Sequence, residues 1–447
     1  MKLKKLVFVC MMVAMATFAE LSLKVTDDIS LRLMGDVRAR YEGYGWNVVV
    51  PNAPKEHRHT TEYLRVRTRL GAALDFGEDV TINLRLGNRF HYVTTSPSKD
   101  NNDGGSTWEF PDEVYVDSAN VVFKNLIDGK LRITLGRQDM MLGNGLLISE
   151  GTPFDQGRSV YFDGISARYS DDSETVTAFV FYDSWKDRYV FINDQNRVLR
   201  CGDIFTAGLY WTHKFDKSIN LDVYYMFNDV EDRHPDTIDR CYHKPDASLS
   251  LHTAGFRLFG NAPDWLDYSL EAARQFGRDA YGEHLGGEMA DARLNFHLCD
   301  DTTFKPMLGV EAAHFSGDDG GEGRDRYWNP MLCQCPLWGE ELLPIMLNSI
   351  WSNLNMLSTK LSFNVIEGCN LSFFLTDFFA DDTDGVVGSD NQTGGGRHVG
   401  LLAGTCATYK VNKNLSFQAW LSHFMPGNFH DDGHDSNWFR LEMTLAF

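Results

Sequence analysis

Arginine recurs at every second position early in this chain. Arg38 and Arg40 are followed by Arg65, Arg67 and Arg69, and then by Arg85 and Arg89 at a spacing of four. Between and beside them stand Val37, Ala39 and Tyr41, then Leu64, Val66, Thr68 and Leu70, then Leu84, Leu86 and Phe90. A period of two describes a β-strand with one cationic face and one apolar face. A water-soluble sheet would bury the apolar face and wet the charged one. A membrane barrel turns the apolar face to lipid and the charged face inward. A cation on the lipid face at mid-depth costs about 2–4 kcal/mol, so three on one strand cannot all meet lipid.

The N-terminal residues choose between these. Lys2, Lys4 and Lys5 precede an apolar stretch, Leu6 to Ala16, that is too short to span a bilayer. Thr17 and Ala19 then fit the small-residue rule for cleavage before Glu20, so residues 1–19 read as a secretory signal peptide and residues 20–447 as a single domain. Cys10 lies within the apolar stretch without the context of a lipoprotein cleavage site. Cleavage takes the formal charge from −20 to −23 and leaves seven of the eight cysteines. Their odd number and irregular spacing do not describe a disulfide framework, and the Cys333–Cys335 spacing is too tight for a zinc knuckle.

Alternating segments of about ten residues then recur from Ser30 to Phe447. The polar breaks between them alternate in length: long at 43–60, tight at 76–79, long at 94–110, short at 124–130, and so on to the last strand. Long loops on one side and short turns on the other predict an all-β, transmembrane, antiparallel up-and-down β-barrel of about 18 strands, with periplasmic turns and extracellular loops. A barrel of that size encloses an aqueous lumen. The final strand alternates Phe439, Leu441, Met443, Leu445 and Phe447 with Arg440, Glu442, Thr444 and Ala446. Closure requires it to pair with the first strand, which sets Arg440 and Glu442 beside Arg38, Arg40 and Glu42.

Parity assigns the inner face. It receives Arg32, Met34, Asp36, Arg38, Arg40 and Glu42 from the first strand, then Arg65, Arg67, Arg69 and Asp75, then Asn83, Arg85, Arg89 and His91. Glu113, Tyr115 and Asp117 follow, then Arg132, Thr134 and Gln138, then Ser166 and Arg168. Later strands add Asp222, Glu271, Gln275, Asp291, Arg293 and Glu311. Arg137 falls on the opposite parity and is expected at the rim. Candidate pore-lining and substrate-binding residues are Arg38, Arg40, Glu42, Arg65, Arg67, Arg69, Arg85, Arg89, Glu113, Asp117, Arg132, Arg168 and Arg440. Some arginines are expected to be neutralised by Glu42, Asp75, Glu113 and Asp117, leaving others to meet an anion. Arginine suits that task because its planar fork gives two hydrogen bonds to one carboxylate and keeps its charge.

Two readings follow: an anion-conducting lumen, or internal ion-pair ladders that stiffen the wall and shape the field of a general porin. The acidic, Gly-rich loops account for the negative net charge. Asp382, Asp384 and Gly385 hint at a calcium loop, but Ala380 and Asn391 stand where its first and last ligands belong. Pro336 to Ile350, in the longest loop, is apolar enough to fold into the pore or cap it. A barrel hydrolase would need a nucleophile beside a histidine. Ser166, His91 and Asp117 are inward, but no spacing ties them together. No cofactor, metal site or nucleic-acid partner is expected.

Arg38-Ala-Arg-Tyr-Glu42, Tyr63-Leu-Arg-Val-Arg-Thr-Arg-Leu70, Asp112-Glu-Val-Tyr-Val116, Leu135-Gly-Arg-Gln138, Phe162-Asp-Gly164, Ser316-Gly-Asp318 and Phe424-Met-Pro-Gly427 occur in that order across nearly the whole mature chain. In order and spacing they resemble the alginate export family of outer-membrane porins. The resemblance implies an 18-stranded barrel in the bacterial outer membrane with an arginine-rich lumen. It also implies an anionic uronic-acid polysaccharide or oligosaccharide as cargo, with outer-membrane lipid and periplasmic export components as partners. By position, Arg38, Arg40, Arg65, Arg67, Arg69 and Arg132 match the family's inward basic residues. The longer, Cys-containing seventh loop departs from the pattern.

Overall fold

The computed structural model describes residues 21–45, 61–95, 107–109, 112–150, 161–192, 199, 202–231, 248–261, 263–279, 281–299, 302–318, 321, 323–333, 352–383, 395–429 and 435–447. The expected signal peptide, the Pro336–Ile350 segment and most of the Asp382–Asn391 loop lie outside these residues. Among the described residues the chain is all β, without helices, and forms a closed antiparallel barrel of 18 strands.

The strands are β1 (Ile29–Gly45), β2 (Thr61–Phe76), β3 (Val80–Thr95), β4 (Val114–Leu126), β5 (Leu131–Gln138), β6 (Phe162–Ser170), β7 (Glu174–Asp183), β8 (Asp203–Lys214) and β9 (Asn220–Glu231). They continue as β10 (Leu249–Asn261), β11 (Leu266–Asp279), β12 (Glu288–His297), β13 (Met307–Phe315), β14 (Leu354–Ile366), β15 (Cys369–Ala380), β16 (His398–Lys410), β17 (Leu415–Pro426) and β18 (Ser436–Ala446). Each pairs antiparallel with its sequence neighbour, and β18 closes on β1 with Glu42 opposite Arg440 and Arg40 opposite Glu442. Closure satisfies the backbone groups that lipid cannot. The short connections, such as 77–79, 171–173 and 367–368, all fall at one end; the long ones, such as 46–60 and 316–353, fall at the other. In outer-membrane barrels the short turns face the periplasm.

Side-chain exposure follows the period of two. Leu70, Leu84, Leu135, Ile165, Val180, Leu209, Phe256, Leu357, Phe373 and Leu441 are exposed on the outer face, where a soluble protein would not leave them. Val37 and Val66 share that parity but are buried. On the inner face, glycine lets an aromatic ring lie flat against the neighbouring strand. A Cβ on Gly87 would come within 2.7 Å of the Tyr115 ring, and one on Gly255 within 2.5 Å of the Tyr224 ring.

Short strands fill the edges that unequal strand lengths leave open, and the sequence reading did not anticipate them. Leu21–Lys24 pairs with residues 30–33 of β1, below the point where β18 runs out. Val190–Ile192, in the β7–β8 connection, pairs with Val114 and Tyr115 of β4, above the end of the eight-residue β5. Thr107–Glu109 pairs with the top of β3. Each covers backbone groups that would otherwise stay unpaired.

The β5–β6 connection turns inward. Met140–Met141, Ile148–Glu150 and Leu332–Cys333 form a small separate sheet within the upper barrel. Leu146, Leu147 and Ile148 are almost fully buried there and pack in one apolar cluster with Phe162, Phe181, Tyr210, Trp328 and Leu332. Two long loops therefore occupy part of the lumen.

Candidate functional site

The basic wall runs across β18 and β1 to β6. Strand register decides which charges meet, and at the seam they cross reciprocally. Arg40 donates to Glu442, while Arg440 Nε lies 2.6 Å from Glu42 Oε1 with both side chains almost fully buried. The Arg440 guanidinium also covers the Trp438 ring at 4.9 Å. Glu42 has Arg65 at 3.6 Å as a second neighbour. Asp36 sits between Arg67 at 2.9 Å and Arg69 at 2.6 Å. Asp117 receives Arg85 and the Tyr161 hydroxyl at 2.6 Å, with Arg69 at 3.9 Å; Arg85 also reaches Asp139 at 3.0 Å. Near the periplasmic end Asp75 accepts from Arg32 at 2.7 Å, from Thr81 and from Lys124 at 3.4 Å.

Glu42, Asp75 and Asp117, expected to neutralise arginines, do so. Asp36, placed on the inner face by parity, and Glu442, set beside Arg40 by closure, also take part, as does Asp139, which the sequence did not single out. Glu113 is buried, and its backbone carbonyl accepts from Asn88 Nδ2 at 2.6 Å. Arg38 is buried between Arg67 and Thr444 in register. His91 Nε2 lies 2.9 Å from Arg65 Nε and 2.6 Å from Arg89 Nη2, so this nitrogen accepts from two guanidinium groups. Arg132 and Arg168 differ from the rest. They stand directly opposite each other in the β5–β6 pair, both exposed, and neither has an ion pair or hydrogen bond among the described residues.

Arg137 lies at the top of β5 on the outer parity, as expected of a rim residue, but it is buried. Its Nε and Nη2 grip Asp163 at 2.9 Å each, and Nη1 reaches Val116 O at 2.8 Å and Asp187 at 3.2 Å. Tyr161 and Tyr189 flank the guanidinium. The strap through Asp187 and Tyr189 folds over it, and no parity argument contains that.

The far wall carries the opposite sign. Asp222, Glu271, Asp291 and Glu311 outnumber Arg257 and Arg293, all six on consecutive strands β9 to β13. Tyr210 donates to Asp222 at 2.5 Å, Arg257 holds Asp222 at 2.7 Å, and Tyr224 donates to Glu271 at 2.9 Å. Arg293 lies 2.8 Å from Asp291 and 3.0 Å from Glu311. The inward loop docks here. Asn144 accepts from Arg257 at 2.8 Å and donates to Ser269 at 2.9 Å and Asp291 at 3.3 Å. Gly143 has a left-handed φ of 57°, and a Cβ on it would come within 2.8 Å of the Tyr210 hydroxyl. Gln275 anchors the other loop by bonds of 2.7 and 2.8 Å to the Asn329 backbone. Arg257, Tyr210, Tyr224 and Asn144 were missed in the sequence. The apolar run Met140 to Ile148 inside a supposed solvent loop was the available signal for the docking.

The structure does not assemble the hydrolase arrangement. Ser166 donates to Gln138 at 2.5 Å, His91 is held by arginines, and Asp117 is held by Arg85 and Tyr161. No group of three or more metal-ligating side chains occurs among the described residues.

Residues 55–441 match the sequence model of a family described as alginate export. No curated protein matches the chain by sequence. Solved structures of outer-membrane porins match its fold over nearly the full length. Pseudomonas aeruginosa OccK7 (OpdD) shares 13% identity, with 93% of this chain and 98% of that chain covered and a TM-score of 0.56. Acinetobacter baumannii OccAB1 shares 11%, with 93% and 96% covered and a TM-score of 0.56. Pseudomonas aeruginosa OccD3 (OpdP) shares 10%, with 96% and 93% covered and a TM-score of 0.56.

Proposed function

The chain belongs to the alginate export family, as an outer-membrane β-barrel channel, and from that premise we propose that it passes an anionic, uronic-acid-type polysaccharide or oligosaccharide along its arginine-rich inner wall. The observation that carries this reading is the imbalance of charge on that wall. Arg32, Arg38, Arg40, Arg65, Arg67, Arg69, Arg85, Arg89, Arg132, Arg168 and Arg440 outnumber Asp36, Glu42, Asp75, Glu113, Asp117, Asp139 and Glu442. The wall therefore keeps a positive field after its internal pairs are made. The acidic far wall is partly covered by the docked inner loop, so cargo runs along the basic side. Conduction needs sites weak enough to leave. Paired arginines meet that need, because their field attracts a carboxylate while their hydrogen bonds are already engaged. No chemical step is required.

A second reading is a general or other-substrate porin whose arginines are structural. Favouring it, Arg40, Arg65, Arg67, Arg69, Arg85 and Arg440 all have carboxylate neighbours. Bilayer conductance separates the two. Oligouronates should block the ion current more than neutral oligosaccharides of equal length; equal block would leave the general porin.

A further inference from the structure

We propose that Arg132 and Arg168 form an anion clamp at the periplasmic mouth of the channel, the first site at which a carboxylate arriving from the periplasm is held. The proposal rests on the channel reading above and assigns its loading step to two named residues.

Arg132 is the second residue of β5 and Arg168 the third from last of β6, so both lie close to the short turns. They are Cα partners across the strand pair. Side chains in that relation stand about 5 Å apart at Cβ, and like charges placed so repel. Elsewhere on this wall arginines that face each other, such as Arg40 and Arg65, are largely buried beside carboxylates. Arg132 and Arg168 are instead both exposed, with no acidic partner among the described residues. Toward the same end, Asp75 is already engaged by Arg32, Lys124 and Thr81, and Asp171 by the Ser173 and Glu174 amides and the Tyr169 hydroxyl. Two facing guanidinium groups present a double fork that a carboxylate or another oxyanion bridges. Thr134, Ser166 and Thr177 share this inner face within one register step, and their hydroxyls suit the ring oxygens of a sugar. An uncompensated pair costs the fold something and gives it no visible contact in return. An anionic ligand supplies the missing counter-charge.

The test is one-sided block in planar bilayers, comparing the wild type with the double variant Arg132→Gln, Arg168→Gln. Oligouronate added on the turn side should block the wild type with an on-rate about tenfold or more above that of the variant, while block from the loop side stays equal. Equal turn-side block in the two proteins overturns the clamp, and equal loss from both sides overturns its place at the mouth. If oligouronate blocks the wild type from neither side, the polysaccharide reading fails by itself. The clamp is then judged with inorganic sulfate on the turn side, which should inhibit chloride current in the wild type and not in the variant; no sulfate effect in the wild type overturns it. Thermal unfolding gives a control: removing two repelling charges should leave the midpoint unchanged or raised, whereas a structural role would lower it.

Discussion

Replacing Glu42 by glutamine removes one charge from the most deeply buried ion pair on the barrel seam. The Glu42 and Arg440 side chains are 0% and 1% exposed and 2.6 Å apart, and Arg65 lies 3.6 Å from the same carboxylate. Removing one partner of a buried pair costs about 3–5 kcal/mol, because the other charge stays desolvated. Glutamine keeps a carbonyl that Arg440 can still donate to, which places the expected loss near 3 kcal/mol. Arg440→Gln leaves Glu42 with Arg65 as a neighbour and should cost about 2 kcal/mol, part of it the lost stacking on Trp438. Because the two side chains act as one unit, the double variant should be more stable than the sum of the singles implies, with a coupling of about 1–3 kcal/mol. Urea unfolding in lipid vesicles, followed by tryptophan fluorescence and by heat-modifiable gel mobility, measures all three. Single-variant losses below about 1 kcal/mol, the range of exposed pairs, or strict additivity would refute the seam assignment.

Asn144→Ala cuts the docked loop from Arg257, Ser269 and Asp291; single-channel conductance should rise and become noisier, and unchanged conductance would mean that this loop does not narrow the path. Leu209, midway along β8 and half-exposed, faces lipid; Leu209→Arg should cost about 2–4 kcal/mol in vesicle unfolding, and a cost near zero would place that face in water. In the periplasmic turns, the Glu174 amide, followed by the Ser173 amide, holds the Asp171 carboxyl below its ordinary 3.8. The Ser218 side chain, followed by the Ser218 and Ile219 amides, does the same for Asp216. A lowered folded-state value means stabilisation that is full above 3.8 and fades as pH falls through the folded value. Asp171→Asn should therefore flatten the acid limb of the stability curve by lowering stability at neutral pH while leaving it little changed in acid; an unaltered acid limb would contradict it.

The barrel was legible because two periodicities coincide. Alternation along each strand sets the faces, and alternation of loop length sets the topology. Even the seam could be placed, since closure forces β18 onto β1 and sets Arg440 and Glu442 beside Arg38, Arg40 and Glu42. Occupancy of the arginines was not legible. Whether Arg67 meets Asp36 or Arg132 meets Arg168 depends on register between strands, which turns and bulges fix and a period of two does not. The bulge near Asp117 shows the point, since one extra residue turns its carboxylate toward both Arg69 and Arg85. The docked loop escaped for another reason. Met140 to Ile148 buries its apolar side chains against parts of the barrel distant in sequence, a contact with no local periodicity. The burial of Arg137 likewise depends on a strap some fifty residues downstream.

The shortness of β5 has a consequence for how the molecule sits in its bilayer. Eight residues at about 3.4 Å each, tilted by about 40°, raise the wall only about 21 Å. The apolar band of an outer-membrane barrel is about 25 Å tall. On this flank the hydrocarbon would meet the barrel's polar rim. The strap Val190–Ile192 lies at that height, with Phe191 72% and Ile192 47% exposed. It gives the low flank a detachable apolar collar, so hydrophobic matching there belongs to a loop, and trimming that collar should tilt the whole barrel toward its short side.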